Sequence, residues 1–149
     1  MPPRWEGLTR LGIVAPMWET QIELSGRIVS VSVSDATVDQ DMPDSVTRHV
    51  ADLARFDGLA RDAMRAGWDD DEFGARLYAE HHEEELGLEL LGDPDLLFAQ
   101  LYLERVSFAL DDADRHMVLD YTIGAELTQY VLAVAFDRDG MITEVVMES

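Results

Sequence analysis

The side chains best equipped for chemistry are crowded into Glu80-His81-His82-Glu83-Glu84-Glu85. On a helix, His81 and Glu85 stand four residues apart and share a face, the convergence a metal ion needs, with His82 beside them. The spacing of the zinc-protease helix motif is missing. A further ligand has to come from elsewhere, with His49, His116 and Asp120 as candidates. His81 also follows Leu77 by four positions and Phe73 by eight, on an apolar stripe, where a histidine serves as a hydrogen-bonded boundary residue. The expectation is therefore a structural role and no bound cofactor, with His81, His82 and Glu85 as the metal candidates.

A second constellation is Asp120, Thr122, Glu126 and Tyr130, polar residues interrupting an apolar region. They could line a small surface patch. The competing and preferred reading is a turn network, in which Thr128 and Glu126 satisfy backbone groups between two strands. Asp69, Asp71, Gly74 and Glu80 fall on four positions of a calcium-loop template, but Phe73 occupies a ligand position. Acidic residues at a helix start explain that run through the helix dipole.

Other catalytic signatures are missing. No Gly-x-Ser-x-Gly elbow and no Gly-x-Gly-x-x-Gly occurs, and Ser30, Ser32 and Ser34 read as the wet face of a strand. All 11 basic residues are arginine, so a lysine-containing phosphate loop and a Schiff-base lysine are excluded. Cysteine is absent, which removes disulfides, thiolate metal sites and cysteine nucleophiles. Trp5, Trp18 and Trp68 are scattered and lack the clustered basic residues of a nucleic-acid stacking platform.

The bulk charge points the same way. Thirty-one acidic residues against 11 arginines give a formal charge of -20. Phosphate backbones and anionic membranes repel such a surface, whereas a basic protein is attracted and its encounter accelerated. Solubility alone, or a salt-rich cytoplasm, also accounts for the charge. The N-terminal residues lack the basic start and apolar stretch of a signal peptide. The longest charge-free apolar run, residues 127–136, is shorter than the ~20 residues that span a bilayer. These features lead to an expectation of a cytoplasmic protein, monomeric or homodimeric, without nucleic-acid or membrane binding.

The elements that must position these residues follow from periodicity. Trp18, Thr20, Ile22 and Leu24 alternate with polar residues, Ser25-Gly26 supplies a turn, and Val29, Val31 and Val33 alternate with serines. This predicts a β-hairpin over 17–34. Val46, Val50, Leu53, Ala60 and Met64 lie on one helical face between a start at Asp41-Pro43-Asp44 and an end at Gly67, with Gly58 a point where the helix could break. A second helix is predicted over 70–86, with Asp69 and Glu72 as capping box, Phe73 and Leu77 heading its stripe and Gly87 as terminator. A third begins at Asp93-Pro94.

Strands follow: Tyr102, Val106, Phe108 and Leu110 on one face, then Met117 to Ile123, then Tyr130 to Phe136, apolar on both faces. Asp137-Arg138-Asp139-Gly140 forms a hairpin connection to residues 141–147. The order predicts a single α+β domain over 1–149. It has an antiparallel sheet of about five to six strands, an N-terminal hairpin plus a C-terminal meander, and two to three helices between them packing on one face.

The stretch from Leu119-Asp120-Tyr121-Thr122-Ile123-Gly124 through Glu126-Leu127-Thr128 and Tyr130 to Met147-Glu148-Ser149 resembles the bacterial domain-of-unknown-function family DUF2004. Upstream, Leu24-Ser25-Gly26-Arg27, Ala60-Arg61-Asp62-Ala63, and Tyr78 with His81-His82 are similar to it as well. The resemblance implies a fold and no activity or catalytic residues. Ala125 and Gln129 stand where charged residues are expected. The reading that results is a non-catalytic acidic interaction protein that sequesters a basic partner, as an immunity protein does. The alternatives are a metal-dependent enzyme using His81 or His82 with nearby carboxylates, and a domain that self-associates through a strand edge, against which Glu19 and Glu23 argue.

Overall fold

The computed structural model of the chain describes residues 9–10, 17–34, 44–69, 74–110 and 112–148. Strand β1 (Thr9–Arg10) pairs with β2 (Met17–Leu24), which turns into β3 (Arg27–Ser34). Ser25 and Gly26 both adopt positive φ, 52° and 81°. A two-residue turn of that kind twists in the sense of its strands, so the hairpin closes without splaying. The chain then leaves the sheet for α1 (Asp44–Ala51), α2 (Leu53–Ala66), α3 (Ala75–Leu86) and α4 (Pro94–Phe98). It returns as β4 (Tyr102–Ala109), β5 (Met117–Thr122), β6 (Val131–Phe136) and β7 (Ile142–Glu148).

The fold is α+β. Seven strands lie side by side in chain order, antiparallel throughout except at β3 and β4. The sheet is mostly antiparallel, as expected, and carries this one parallel pair. A chain that leaves the end of β3 and crosses over through four helices re-enters β4 running the same way. The strand count exceeds the expected five to six through the two-residue β1.

Register sorts the side chains into two faces. Val31 of β3 aligns with Val106 of β4, Val106 with Leu119 of β5, Leu119 with Val134 of β6 and Val134 with Val145 of β7. Val33, Phe108, Met117 and Phe136 form the next row, and all of these but Val145 are essentially inaccessible. The helices bring Val46, Val50, Leu53, Phe56, Ala60, Met64, Tyr78 and Leu97 into the same core. The opposite row runs Glu19, Ser32, Ser107, Val118, Ala135 and Glu144, small and polar, and offers no helix a bulky surface to pack on.

Several boundaries differ from the periodicity. The first helical segment breaks at Asp52, between α1 and α2, while Gly58 sits exposed inside α2. Glycine in a helix costs about 1 kcal/mol, which packing through Phe56 and Ala60 outweighs. The predicted starts at Asp41 and Pro43, and the Asp70 to Phe73 start of the second helix with Glu72, lie outside the described residues. So do Asp71 and Phe73 of the calcium template. α3 begins at Ala75, and its buried face is Ala75, Tyr78, Ala79 and His82, one position on from the Leu77 and His81 stripe. Gly87 ends it in the left-handed conformation, φ 69°. In β4 the register shifts between Leu103 and Arg105. That bulge turns Leu103, rather than Tyr102, toward the core beside Val106 and Phe108, and Tyr102 lies under the Arg27 guanidinium at 4.1 Å. Trp68 is core, near Phe98.

One hydrogen bond ties α2 to the middle of the sheet. Tyr121 is fully buried on β5 and its hydroxyl donates to Asp57 Oδ1 at 2.6 Å, while Arg61 Nε donates to the same oxygen at 3.2 Å. Burial and the neighbouring carboxylate keep the phenol protonated far beyond its ordinary range. Tyr121→Phe removes the donor from a charged acceptor and should lower stability by about 1.5 to 3 kcal/mol. Urea unfolding would detect this as a lower midpoint with an unchanged slope.

Candidate functional site

α3 is amphipathic with Tyr78 and His82 turned inward, four residues apart. His82 is 1% exposed. Its Nδ1 lies 2.6 Å from the Tyr78 carbonyl oxygen, which can only accept, so Nδ1 carries the proton. Nε2 is then the acceptor and takes the Thr128 hydroxyl proton at 2.8 Å. Thr128 Oγ1 in turn accepts the Tyr130 N–H at 3.0 Å. Both ring nitrogens are committed, and burial holds the imidazole below its usual pKa. His81 is half-buried and packs its ring on Tyr130, centroids 4.4 Å apart; Glu85 is exposed. Among the described residues no group of three or more histidine, aspartate or glutamate side chains is arranged to hold a metal ion.

The second constellation does not converge. Thr122 is buried and accepts the Gly124 N–H at 3.0 Å. Tyr130 lies on the helix side against His81, Glu126 is exposed in the turn, and Asp120 points to the opposite face of the sheet. The segment is the expected turn network, with one change of residue: Thr122 rather than Glu126 partners Thr128 in holding it. The Tyr78 hydroxyl closes the network, donating to the Tyr130 carbonyl at 3.2 Å and accepting the Ile123 N–H at 3.3 Å.

A cleft of about 480 Å³ lies on the sheet face opposite the helices. Its floor is Ser32, Ser34, Ser107 and Val118; Arg105, Arg115, Glu19 and Asp112 line its walls. Each position has a local cause. Arg105 follows the β4 bulge, which points it away from the core, between Ser30 of β3 and Asp120 of β5. Ser32 and Ser107 face each other across the parallel pair with hydroxyls 3.4 Å apart. Arg115 rides on a loop shaped by Asp112, whose Oδ1 accepts the N–H groups of Asp114 and Arg115 at 3.0 and 2.9 Å. Its guanidinium forks onto Glu144 at 2.8 Å and Glu148 at 2.9 Å, tying the β4–β5 loop to the last strand.

Burial, with Glu148 adding repulsion, pushes the Asp120 carboxyl up to about 6 despite Arg105. Among the described residues that line the cleft there is no histidine. What the cleft can do is recognise polar groups by hydrogen bonds and charge. The serines were legible as an outward strand face. Arg105 was hidden by the bulge, and Arg115 carried no local signal because its partners lie about thirty residues away.

Two pH effects follow. His82 and His116 are both held below the ordinary imidazole range, mainly by burial, with His49 and Arg138 adding to the effect at His116. The folded state therefore binds fewer protons than the unfolded chain below about pH 6.5. Stability is full above that pH and falls as the solution is acidified, and His116→Leu should flatten part of the fall in urea midpoints. Asp120 has the opposite sign: ionised in the folded state at a cost, it destabilises at neutral pH. Asp120→Asn should raise the urea midpoint near neutrality, with the gain vanishing below about pH 4.

No family model matches the chain, and neither a curated protein nor a solved structure matches it.

Proposed function

We propose that this protein is a non-catalytic binding protein for a basic protein partner, received on the sheet face opposite the helices. The observation that supports the reading most is that the negative charge is not cancelled within the fold. Among the described residues, ion pairs engage only Asp52, Asp57, Asp95, Glu144 and Glu148, and the chain as a whole has only 11 arginines for its 31 acidic residues. The face itself suits docking. Ser30, Ser32, Ser107, Ala133 and Ala135 give it a low floor, and Glu19 and Glu23 of β2 stand along one side. A partner's arginine or lysine could reach these carboxylates without having to displace bulky side chains, and long-range attraction would speed its arrival.

The metal-enzyme alternative gains nothing from α3, because His82 already uses both nitrogens within the fold. No helix among the described residues is long and apolar enough to cross a membrane. On the proposed reading the protein acts in the cytoplasm and sequesters its partner in the manner of an immunity protein.

Calorimetric titration with a defined oligolysine peptide tests this. Binding should weaken steeply with salt, and Glu19→Gln with Glu23→Gln should cost about tenfold in affinity. The matched pair Glu84→Gln with Glu85→Gln, exposed on α3, should change it less than about twofold. Equal losses from both pairs would overturn the assigned face, and absence of salt-dependent binding would overturn the reading itself.

A further inference from the structure

A second cleft, about 330 Å³, opens where the end of α1 and the start of α2 meet the β6–β7 turn. Three of the chain's 11 arginines, Arg48, Arg55 and Arg138, line it. Arg55, Arg61, Arg65 and Arg115 all pair with carboxylates among the described residues. Arg48 and Arg138, like Arg27, Arg76 and Arg105, form no ion pair among the described residues, and these two line the cleft together with Arg55. Arg48 Nε donates to the Asp44 carbonyl at 3.4 Å and Arg138 Nη2 to the Leu110 carbonyl at 2.7 Å. Those bonds to neutral acceptors orient the guanidiniums and leave their charge uncancelled.

The site is built on rigid parts. Arg138 sits in a turn fixed by Asp137, whose Oδ1 accepts the N–H groups of Asp139 and Met141, each at 2.9 Å. Gly140 follows at φ 83°, and a side chain there would meet the Phe56 ring at 3.1 Å, so the turn lies directly on Phe56. The His49 ring stacks on the same phenylalanine, centroids 5.0 Å apart and planes 2° from parallel, and forms part of the lining. Arg55 is held against Asp52 at 2.6 Å. Asp139 is the remaining carboxylate at the cleft and opposes any anion there.

We propose that the cleft formed by Arg48, Arg138 and Arg55 binds the phosphoryl group of a small phosphorylated compound. Planar guanidiniums converging from two elements match the oxygens of a phosphoryl group, where a flexible ammonium would not be fixed. The volume is at the lower end of small-ligand sites, room for a phosphoryl group and a short organic portion rather than a nucleic-acid strand. The overall charge repels phosphate at a distance, so binding rests on the local cluster of arginines.

Inorganic phosphate is the probe, with sodium chloride of equal ionic strength as reference. At about 20 mM phosphate the thermal midpoint should rise by roughly 2 to 4 °C, as expected of a site with millimolar affinity. Arg48→Gln and Arg138→Gln should each weaken binding about tenfold in amide chemical-shift titrations, whereas Arg76→Gln on α3 should leave it unchanged. Asp139→Asn should tighten binding about threefold, a gain that damage to the fold cannot imitate. A midpoint shift shared equally by all these variants would mark a general salt effect and overturn the proposal, as would the absence of any shift. Equal binding of a dicarboxylate would overturn the phosphoryl assignment.

Discussion

The sidedness of the sheet governs this structure. Between β3 and β6 the residues on one face are valine, leucine, phenylalanine, methionine and tyrosine, and those on the other are mostly serine, alanine and the occasional charge, with Val118 among them. A helix gains stability by burying apolar area, and only the first face has enough bulk to bury. All four helices are therefore drawn to one side, although they occupy a single crossover between β3 and β4. The parallel pairing at that junction, the low floor of the large cleft and the isolation of Arg105 and Asp120 from the core all follow from it.

Polar groups caught on the helix side are dealt with by pairing. Tyr78, His82 and Thr128 form a chain in which each donor has an acceptor, and that chain holds the connection between β5 and β6 against α3. Tyr121 does the same for α2 through Asp57. Leaving one such group without a partner would cost about 1 to 3 kcal/mol, so the networks specify which helix lies over which strand as well as adding stability. The layer of His49, Phe56, Phe108 and His116 is held differently, by ring packing, with centroids 5.0 to 6.3 Å apart. His116 is buried there with neither ring nitrogen hydrogen-bonded among the described residues, an arrangement that suits only the neutral imidazole.

Charge is distributed on a different principle from the core. Among the described residues, Arg61, Arg65 and Arg115 are clamped to carboxylates, while Arg48 and Arg138 line the smaller cleft beside Arg55. The two proposed binding activities use two features separately: the general negative field draws a basic protein, and the local positive cluster accepts a compact anion. Neither requires a nucleophile, a metal or an activated serine.

The sequence by itself determined the elements whose causes are local. Alternation over 17–34, the Ser25-Gly26 turn, the Asp93 cap whose side chain accepts the Asp95 N–H, and Gly140 in the last hairpin all act within a few residues. Tertiary structure decided the rest. Whether His81 or His82 faced inward depended on where α3 began, one position along from the stripe of leucine and histidine. Tyr102 and Leu103 exchanged roles because a bulge altered the strand's period. The polar stretch from Asp120 to Tyr130 had the composition of a site but became a turn, since α3 supplied the partners that satisfied it. Two of the arginine-lined clefts join residues as far apart as Glu19 and Arg115, or Arg48 and Arg138. No periodicity encodes such a meeting, because it is set by strand register and by the packing of helices on a single face.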